Sequence, residues 1–144
     1  MRHFLFALAG IAVGGVSLLT TAFALSGAAA GADAPVQRVT ERDFHISAPK
    51  QLRAGVVRLI VHNRGPDAHE LIVVREPGAR LPLRRDRQTV DEDALDRFEA
   101  GALEPGEPGG TRELRVRLSP GRYVLFCNMS GHYLGGMRAV LVVR

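Results

Sequence analysis

The residues with the clearest chemical potential lie in one short segment near the C-terminus, CNMSGHYLGGM, which runs from Cys127 to Met137. It places a thiol at Cys127, an imidazole at His132 and a thioether at Met137, with four residues between each pair. Soft sulfur ligands combined with imidazole favour copper, and two histidines with one cysteine and a distant methionine form a known copper ligand set. Met129 is a less suitable axial ligand, because a residue so close to Cys127 would strain the loop. The spacing therefore predicts a copper site on this loop that needs one more histidine from elsewhere.

The first 32 residues have the pattern of an export signal. Arg2 is the one charged residue before a stretch from Phe4 to Ala32 that itself contains no charged residue and ends in small residues. This pattern is typical of a cleaved signal peptide, although the apolar stretch is also long enough to serve as an uncleaved membrane anchor. We favour cleavage, because Gly10, Gly14 and Gly15 weaken a permanent helix. In either case we expect residues 33–144 to form one domain in the periplasm or on the extracellular side of the membrane.

Export changes the meaning of the single cysteine. Exported domains use cysteines in pairs as disulfides, whereas Cys127 is the only cysteine in the chain. A left-over cysteine indicates a reactive thiol, an intermolecular bridge or a metal ligand. Taken singly, a cysteine in an apolar strand is most often a small buried residue, but its combination with a nearby histidine and methionine favours the metal site.

Composition argues against several other functions. The chain of 144 residues allows one domain, and its 46% hydrophobic and 24% charged residues are typical of a globular protein. Its basic residues are scattered among acidic ones without a run or an aromatic-interleaved stripe, so nucleic-acid binding receives no support. We identify no catalytic base, second metal centre or substrate-activating group in the sequence, and we therefore expect a protein that is not an enzyme.

Short strands separated by turn residues must position the predicted ligands. An early half-buried strand places Phe44, Ile46 and Ala48 on its buried side, and it could pair with a strand around Val36 to Val39. The later strand patterns are GVVRLIVHN (55–63), HELIVVRE (69–76), TRELRVRL (111–118), RYVLFCN (122–128) and MRAVLVVR (137–144). Strands at this spacing, with turn signals between them, indicate an all-β Greek-key sandwich or barrel.

The stretch 77–110 does not follow the strand rhythm. Asp91 can cap a helix there, acidic residues occupy its first turn, and Gly101 follows its last apolar residue. We predict one short helix packed on the barrel, followed by a loop rich in proline and glycine. We expect this insertion to be a solvated connection, with a partner-docking surface as the alternative.

The fourth ligand must come from the same end of the barrel as the cysteine loop. Three histidines are candidates, and their positions along the strands differ. His45 lies on the polar side of its strand, so we expect it to be exposed. His69 begins a strand directly after a turn, where a side chain can point across the barrel end. Position favours His69, and His62, near the end of its own strand, remains the alternative.

Two segments carry a resemblance to a known family. NRGPDAHELIVV (63–74) and GRYVLFCNMSGHYLGGM (121–137) resemble segments of cupredoxins, the family of azurin, plastocyanin and rusticyanin. The resemblance follows the strand order beyond residue 33, and the loop spacing is similar to that of rusticyanin. It implies a cupredoxin-like β-sandwich with the short helix in an insertion, and one type 1 (blue) copper ion. The ligands that it implies are His69, Cys127, His132 and Met137.

The resemblance also implies a function and a partner. Cupredoxins are small electron carriers in which the second histidine of the loop, here His132, is the electron port within an apolar patch. We expect a monomer that meets a redox partner, a cytochrome or an oxidase, through this patch. The alternatives are a protein that delivers copper instead of electrons and a metal-free cupredoxin-like interaction domain. The residues placed to form the patch are Pro66, Met129, Tyr133 and Leu134.

The chain departs from the family next to two of the implied ligands. In many cupredoxins an asparagine follows the first histidine, and its amide is thought to tie to a serine or threonine after the cysteine. Here Glu70 follows His69 and Asn128 follows Cys127. We predict that the polar partners have exchanged sides, so that the Glu70 carboxylate accepts from the Asn128 amide or from nearby backbone and orients the ligands.

Overall fold

The computed structural model describes residues 34–78 and 80–144. The predicted export signal or anchor, residues 1–32, lies outside the described residues. Within the described part of the chain, no helix is long and apolar enough to cross a membrane.

The described residues form nine β-strands and one 3-10 helix, Asp93–Phe98, which lies between the fifth and sixth strands. The strands are β1 (Val36–Arg42), β2 (His45–Ser47), β3 (Gln51–Leu52), β4 (Gly55–Asn63), β5 (His69–Arg75), β6 (Glu99–Gly106), β7 (Thr111–Leu118), β8 (Gly121–Phe126) and β9 (Arg138–Val143). The five later strand patterns predicted from the sequence therefore begin and end within about two residues of observed strands, because β-branched runs bounded by turn residues mark strands well.

Two sheets pack face to face. One sheet has four strands in the order β2-β1-β4-β7, and the other has five in the order β3-β9-β8-β5-β6. The pairs β1–β4 and β3–β9 are parallel, and the other neighbours are antiparallel. The prediction of an all-β sandwich is confirmed.

The predicted first strand is only partly correct. Phe44 is 52% exposed and has a positive φ of 59°, so it belongs to the turn between β1 and β2 and not to a buried strand face. Ile46 is buried as predicted, and Ala48 is half-buried beyond the end of β2. The alternation of apolar and polar residues continued through the turn, and the pattern therefore placed the strand start too early.

The insertion contains a strand that the sequence analysis missed. The predicted helix is present as the 3-10 helix, and the Ala94 N–H lies 3.4 Å from Asp91 Oδ1 at its start. The proline- and glycine-rich stretch predicted as a loop is instead β6, which pairs with β5 at the edge of the five-stranded sheet. Pro105 is tolerated in β6 because an edge strand does not need every backbone donor for pairing.

The described residues form two apolar cores. The first lies between the sheets and includes Val39, Leu59, Val61, Leu71, Val73, Val116, Leu125 and Leu141. The second lies between the outer face of the five-stranded sheet and the insertion, and it includes Ile72, Val74, Leu81, Val90, Leu95, Val124 and Phe126. The expectation that the insertion is a solvated connection is wrong, because it covers a sheet face.

Candidate metal centre

Two imidazoles and a thiol meet at one end of the sandwich. His69 is the first residue of β5, Cys127 follows β8 directly, and His132 lies on the loop between β8 and β9. One donor atom from each residue can be chosen so that all three lie within 4.8 Å of one another. Cys127 Sγ is 3.6 Å from His132 Nδ1, and the two imidazole ring centroids are 5.2 Å apart. The fold thus brings three of the four predicted ligands together.

The fourth predicted ligand, Met137, lies in the first core with Cys127 and is fully buried. The Cys127 N–H donates to the Met137 carbonyl at 3.2 Å, and the Met137 N–H donates to the His132 carbonyl at 2.9 Å. These backbone bonds close the loop at both ends, so that the three loop residues lie next to one another.

Glycines allow the loop to turn so tightly. Gly131 and Gly136 have positive φ angles of 79° and 107°, which side chains disfavour. A glycine is required at position 135 for a different reason. A Cβ atom there would overlap the Phe44 ring from the β1–β2 turn.

The other two candidate histidines lie elsewhere. His62 is on the outward side of β4, and its Nδ1 lies 3.1 Å from the Gly110 carbonyl and 3.0 Å from Thr111 Oγ1. His45 is exposed, as expected. Neither belongs to the donor cluster found among the described residues, whereas His69 does.

Burial favours the uncharged form of both Cys127 and His69 in the metal-free protein. Burial raises the pKa of the Cys127 thiol to about 11, while backbone N–H groups of Met129 and Glu70 act in the opposite direction. A metal ion converts such a thiol to the thiolate that binds it. Burial lowers the pKa of His69, against the effect of the Asp43 carboxylate, and therefore favours the neutral imidazole that binds metals.

The hydrogen bonding of His69 provides a test of whether a metal fits. Both of its ring nitrogens are buried and without a hydrogen-bond partner among the described residues. Nε2 lies 3.1 Å from Asp43 Oδ1, a distance that suits a hydrogen bond, but the two groups lack its alignment. A buried polar atom without a partner is destabilising, and a metal bond to the free Nδ1 would remove that cost. The donor set therefore fits a copper ion.

Polar contacts connect the cysteine segment to its neighbours. Glu70 Oε1 accepts the Asn128 backbone N–H at 2.9 Å, which confirms the backbone form of the predicted exchange. The Asn128 side-chain amide turns to the insertion instead, where it donates to the Val90 carbonyl at 3.0 Å and to Glu92 Oε1 at 2.6 Å. Burial raises the pKa of Glu70, while its bond from the Asn128 N–H lowers it.

The turn between β1 and β2 is a part of the site that the sequence analysis did not identify. Asp43 lies against His69, and the Phe44 ring contacts the His132 ring with the centroids 5.4 Å apart. The contact joins residues far apart in sequence, and no local pattern marks it. The available signal is Asp43 itself, a residue that favours turns and lies between the two strands predicted near the start of the domain.

The residues predicted to form an apolar patch around His132 differ in exposure. Leu134 is 49% exposed and Pro66 is exposed, and the exposed Phe44 ring, which the sequence analysis had placed in a strand, contacts His132. Tyr133 was expected in this patch but is buried, with its ring 5.6 Å from that of Phe126. Met129 is half-buried.

Comparison with solved structures identifies the fold as that of the cupredoxins. Auracyanin from the photosynthetic bacterium Roseiflexus castenholzii matches with a TM-score of 0.60 and 20% identity, over 79% of this chain and 99% of that chain. Auracyanin A from Chloroflexus aurantiacus, a "blue" copper protein, matches with a TM-score of 0.53 and 20% identity, over 74% and 99%. Reduced rusticyanin matches with a TM-score of 0.57 and 14% identity, over 78% and 82%. No protein-family model and no curated protein sequence matches the chain.

Proposed function

We propose that this protein is an exported type 1 copper protein that carries single electrons. The observation that carries the proposal is the cluster of one thiol and two imidazoles within 4.8 Å at the end of a cupredoxin fold. His69, Cys127 and His132 would bind the metal, with Met137 as the weak axial ligand. The proposed domain is residues 33–144, exported by the segment 1–32, which is cleaved or retained as an anchor.

Bound copper supplies one-electron exchange between its Cu(I) and Cu(II) states. The chain contributes rigid positions for the donor atoms. His69 and Cys127 are fixed at the ends of two paired central strands, β5 and β8, and backbone hydrogen bonds fix the loop that follows Cys127. Donors held in this way move little when the charge of the metal changes, which keeps electron exchange fast.

His132 is the proposed electron port. Its side chain is 11% exposed, whereas that of His69 is 0% exposed and Cys127 and Met137 are fully buried. The exposed apolar side chains beside it would suit a weak and transient contact with a redox partner protein. In this proposal the protein acts as a monomer.

Copper loading of the purified protein tests the assignment. We expect Cu(II) to give an intense visible absorption from thiolate-to-copper charge transfer and a paramagnetic resonance spectrum of a type 1 site. Cys127→Ser should abolish the colour. His62→Ala is the matched control, since it removes a histidine outside the cluster and should leave the colour intact. A coloured Cys127→Ser variant would show that the assignment is wrong.

A kinetic experiment separates an electron carrier from a copper-delivery protein. Stopped-flow mixing of the copper-loaded protein with a reduced cytochrome should show rapid and reversible one-electron exchange. Copper should remain bound, as measured by a chelator present in the same solution. Loss of copper to the chelator during each cycle would favour delivery. Mass determination of the native protein decides whether residues 1–32 are retained.

A further inference from the structure

A carboxylate lies behind the buried histidine of the metal centre. Asp43 Oδ1 is 3.1 Å from His69 Nε2, and the Asp43 side chain is 22% exposed. The same oxygen accepts the backbone N–H of Asp67 at 3.2 Å. This hydrogen bond ties the carboxylate to the segment that leads into β5, the strand that begins with His69.

We propose that Asp43 is a positioning residue that orients His69 as a ligand and that its negative charge favours the oxidised state of the copper centre. This inference rests on the proposed copper function and deepens it. It concerns a residue from the β1–β2 turn, outside the segments that supply the ligands.

The first part of the inference follows from the two nitrogens of the imidazole. Nε2 of His69 lies 3.1 Å from the carboxylate without the alignment of a hydrogen bond, and Nδ1 is likewise buried without a partner among the described residues. The negative charge of a carboxylate near one ring nitrogen favours the proton on that nitrogen and leaves the lone pair on the other. Asp43 thus favours the tautomer in which Nδ1 is free to bind a metal.

The second part follows from burial. The His69 side chain is 0% exposed, so the charge of Asp43 acts on it through protein more than through water. A carboxylate that faces the second nitrogen makes the imidazole a stronger donor. A stronger donor stabilises Cu(II) more than Cu(I), because the more highly charged ion gains more from it.

The other histidine provides a comparison within the same site. Asp67 Oδ2 lies 3.9 Å from His132 Nε2, but the Asp67 side chain is 63% exposed. Water and salt screen a charge at the surface. Asp67 should therefore affect the copper centre less than Asp43, although each carries one negative charge beside one histidine.

A pair of matched substitutions tests the inference. Asp43→Asn keeps an oxygen that can accept the Asp67 N–H, so it removes the charge while the turn can stay folded. Asp67→Asn makes the same change of charge beside His132. Both variants would be prepared in the full chain, and the affinities for Cu(II) and Cu(I) and the reduction potential would be measured with the copper-loaded proteins.

We expect Asp43→Asn to weaken Cu(II) binding about tenfold, the lower end of what loss of a partner of a metal ligand usually costs. Cu(I) binding should change much less. The reduction potential should therefore rise by about 59 mV for each tenfold by which the loss of Cu(II) affinity exceeds the loss of Cu(I) affinity. Asp67→Asn should give a clearly smaller rise. Asp43→Glu, which keeps the charge, should return the potential toward that of the parent.

Several outcomes would overturn the inference. An unchanged or lower potential in Asp43→Asn would contradict the effect of charge, and equal shifts in Asp43→Asn and Asp67→Asn would contradict a specific role. The metal-free protein gives an independent readout, since ¹⁵N resonances of His69 should show the proton on Nε2 in the parent and a mixture in Asp43→Asn. A proton on Nδ1 in the parent would exclude the orienting role. A parent that binds no copper would instead contradict the proposed function, and the resonances would still decide the tautomer.

Discussion

The two sheets of the sandwich differ in what covers their outer faces. The five-stranded sheet is covered on the outside by the insertion, whose Leu81, Val90 and Leu95 are buried against β5 and β8. The outer face of the four-stranded sheet is open to solvent in the described part of the chain. The outward positions of β1, β4 and β7 carry one carboxylate, Glu113, and five arginines, namely Arg38, Arg42, Arg58, Arg115 and Arg117.

The two sheets also contribute different residues to the metal centre. All four proposed ligands come from the five-stranded sheet, because His69 begins β5 and the other three lie at the β8–β9 connection. The four-stranded sheet contributes the turn with Asp43 and Phe44. The sheet that is packed on both faces thus holds the donor atoms, where rigid positions matter most, and the sheet with one open face supplies groups that contact them.

The largest effect should come from opening the second core. Phe126 is fully buried there and packs against Tyr133 of the ligand loop. We expect Phe126→Ala to lower the free energy of unfolding by about 4 kcal/mol, since truncating a buried phenylalanine leaves a cavity. Urea denaturation measures the loss. Ile60→Ala, on the open face, should cost much less, and a similar cost for both variants would refute the distinction between the two faces.

Removing one partner of the buried ion pair should have the next largest effect. Arg112 Nη2 lies 2.6 Å from Glu41 Oε2, and Glu41 is fully buried on the inner side of the four-stranded sheet. Arg112→Met leaves this carboxylate without its cation, and we expect a loss of about 3 kcal/mol near neutral pH. Arg115→Met, which removes an exposed arginine from the same strand, is the matched control and should have little effect.

The loss in Arg112→Met should depend on pH. Burial raises the pKa of Glu41 above its usual 4.5, and Arg112 acts in the opposite direction. The folded variant should therefore hold the Glu41 proton more tightly than the unfolded chain does. Its stability should fall as the pH rises above about 4.5 and recover as the pH is lowered toward that value. Equal losses at about pH 5 and about pH 8 would contradict this account.

Local sequence patterns were sufficient for much of the fold and for the donor cluster. TRELRVRL predicts a strand with one buried face and forms β7, and the fixed spacing from Cys127 to Met137 predicted a loop whose ends are in fact joined by hydrogen bonds. Continuous apolar runs in β5 and β8 also carry a signal that the strand analysis did not use. Runs such as LIVV, 71–74, are typical of strands buried on both faces. Such strands need a covering layer on the outer face of the sheet, and the insertion provides it.

The missed features depend on contacts between distant residues. Glycine and proline in β6 resemble a loop locally, and only its pairing with β5 makes it an edge strand. The position of Asp43 beside His69 requires the β1–β2 turn of one sheet to contact the end of the other sheet. The alternation of residues along a single strand carries no information about such a contact. The local rules therefore predict elements well and predict poorly which elements meet.

The polar contact between the insertion and the cysteine segment should have an intermediate effect. Asn128→Ala removes bonds to both backbone groups of Val90 and leaves these groups buried without partners. We expect a loss of about 2 kcal/mol and faster transfer of copper to a chelator, because Asn128 adjoins Cys127. Ser130→Ala removes an exposed bond to Gln88 on the same segment and should cost less than about 0.5 kcal/mol. An Asn128→Ala variant as stable as the parent would show that this contact does not brace the site.

The smallest effect should come from the ion pair on the open face. Arg58 Nε and Nη2 each lie 2.7 Å from an oxygen of Glu113, and the two side chains are 32% and 40% exposed to solvent. Solvent weakens such a pair, and salt near 1 M reduces the screening length to about 3 Å. A double-mutant cycle with Arg58→Ala and Glu113→Ala should therefore give a small coupling at low salt and none that is measurable at high salt. A coupling that persists at high salt would mean that the open face contributes to the stability of the fold in the same way as the covered one.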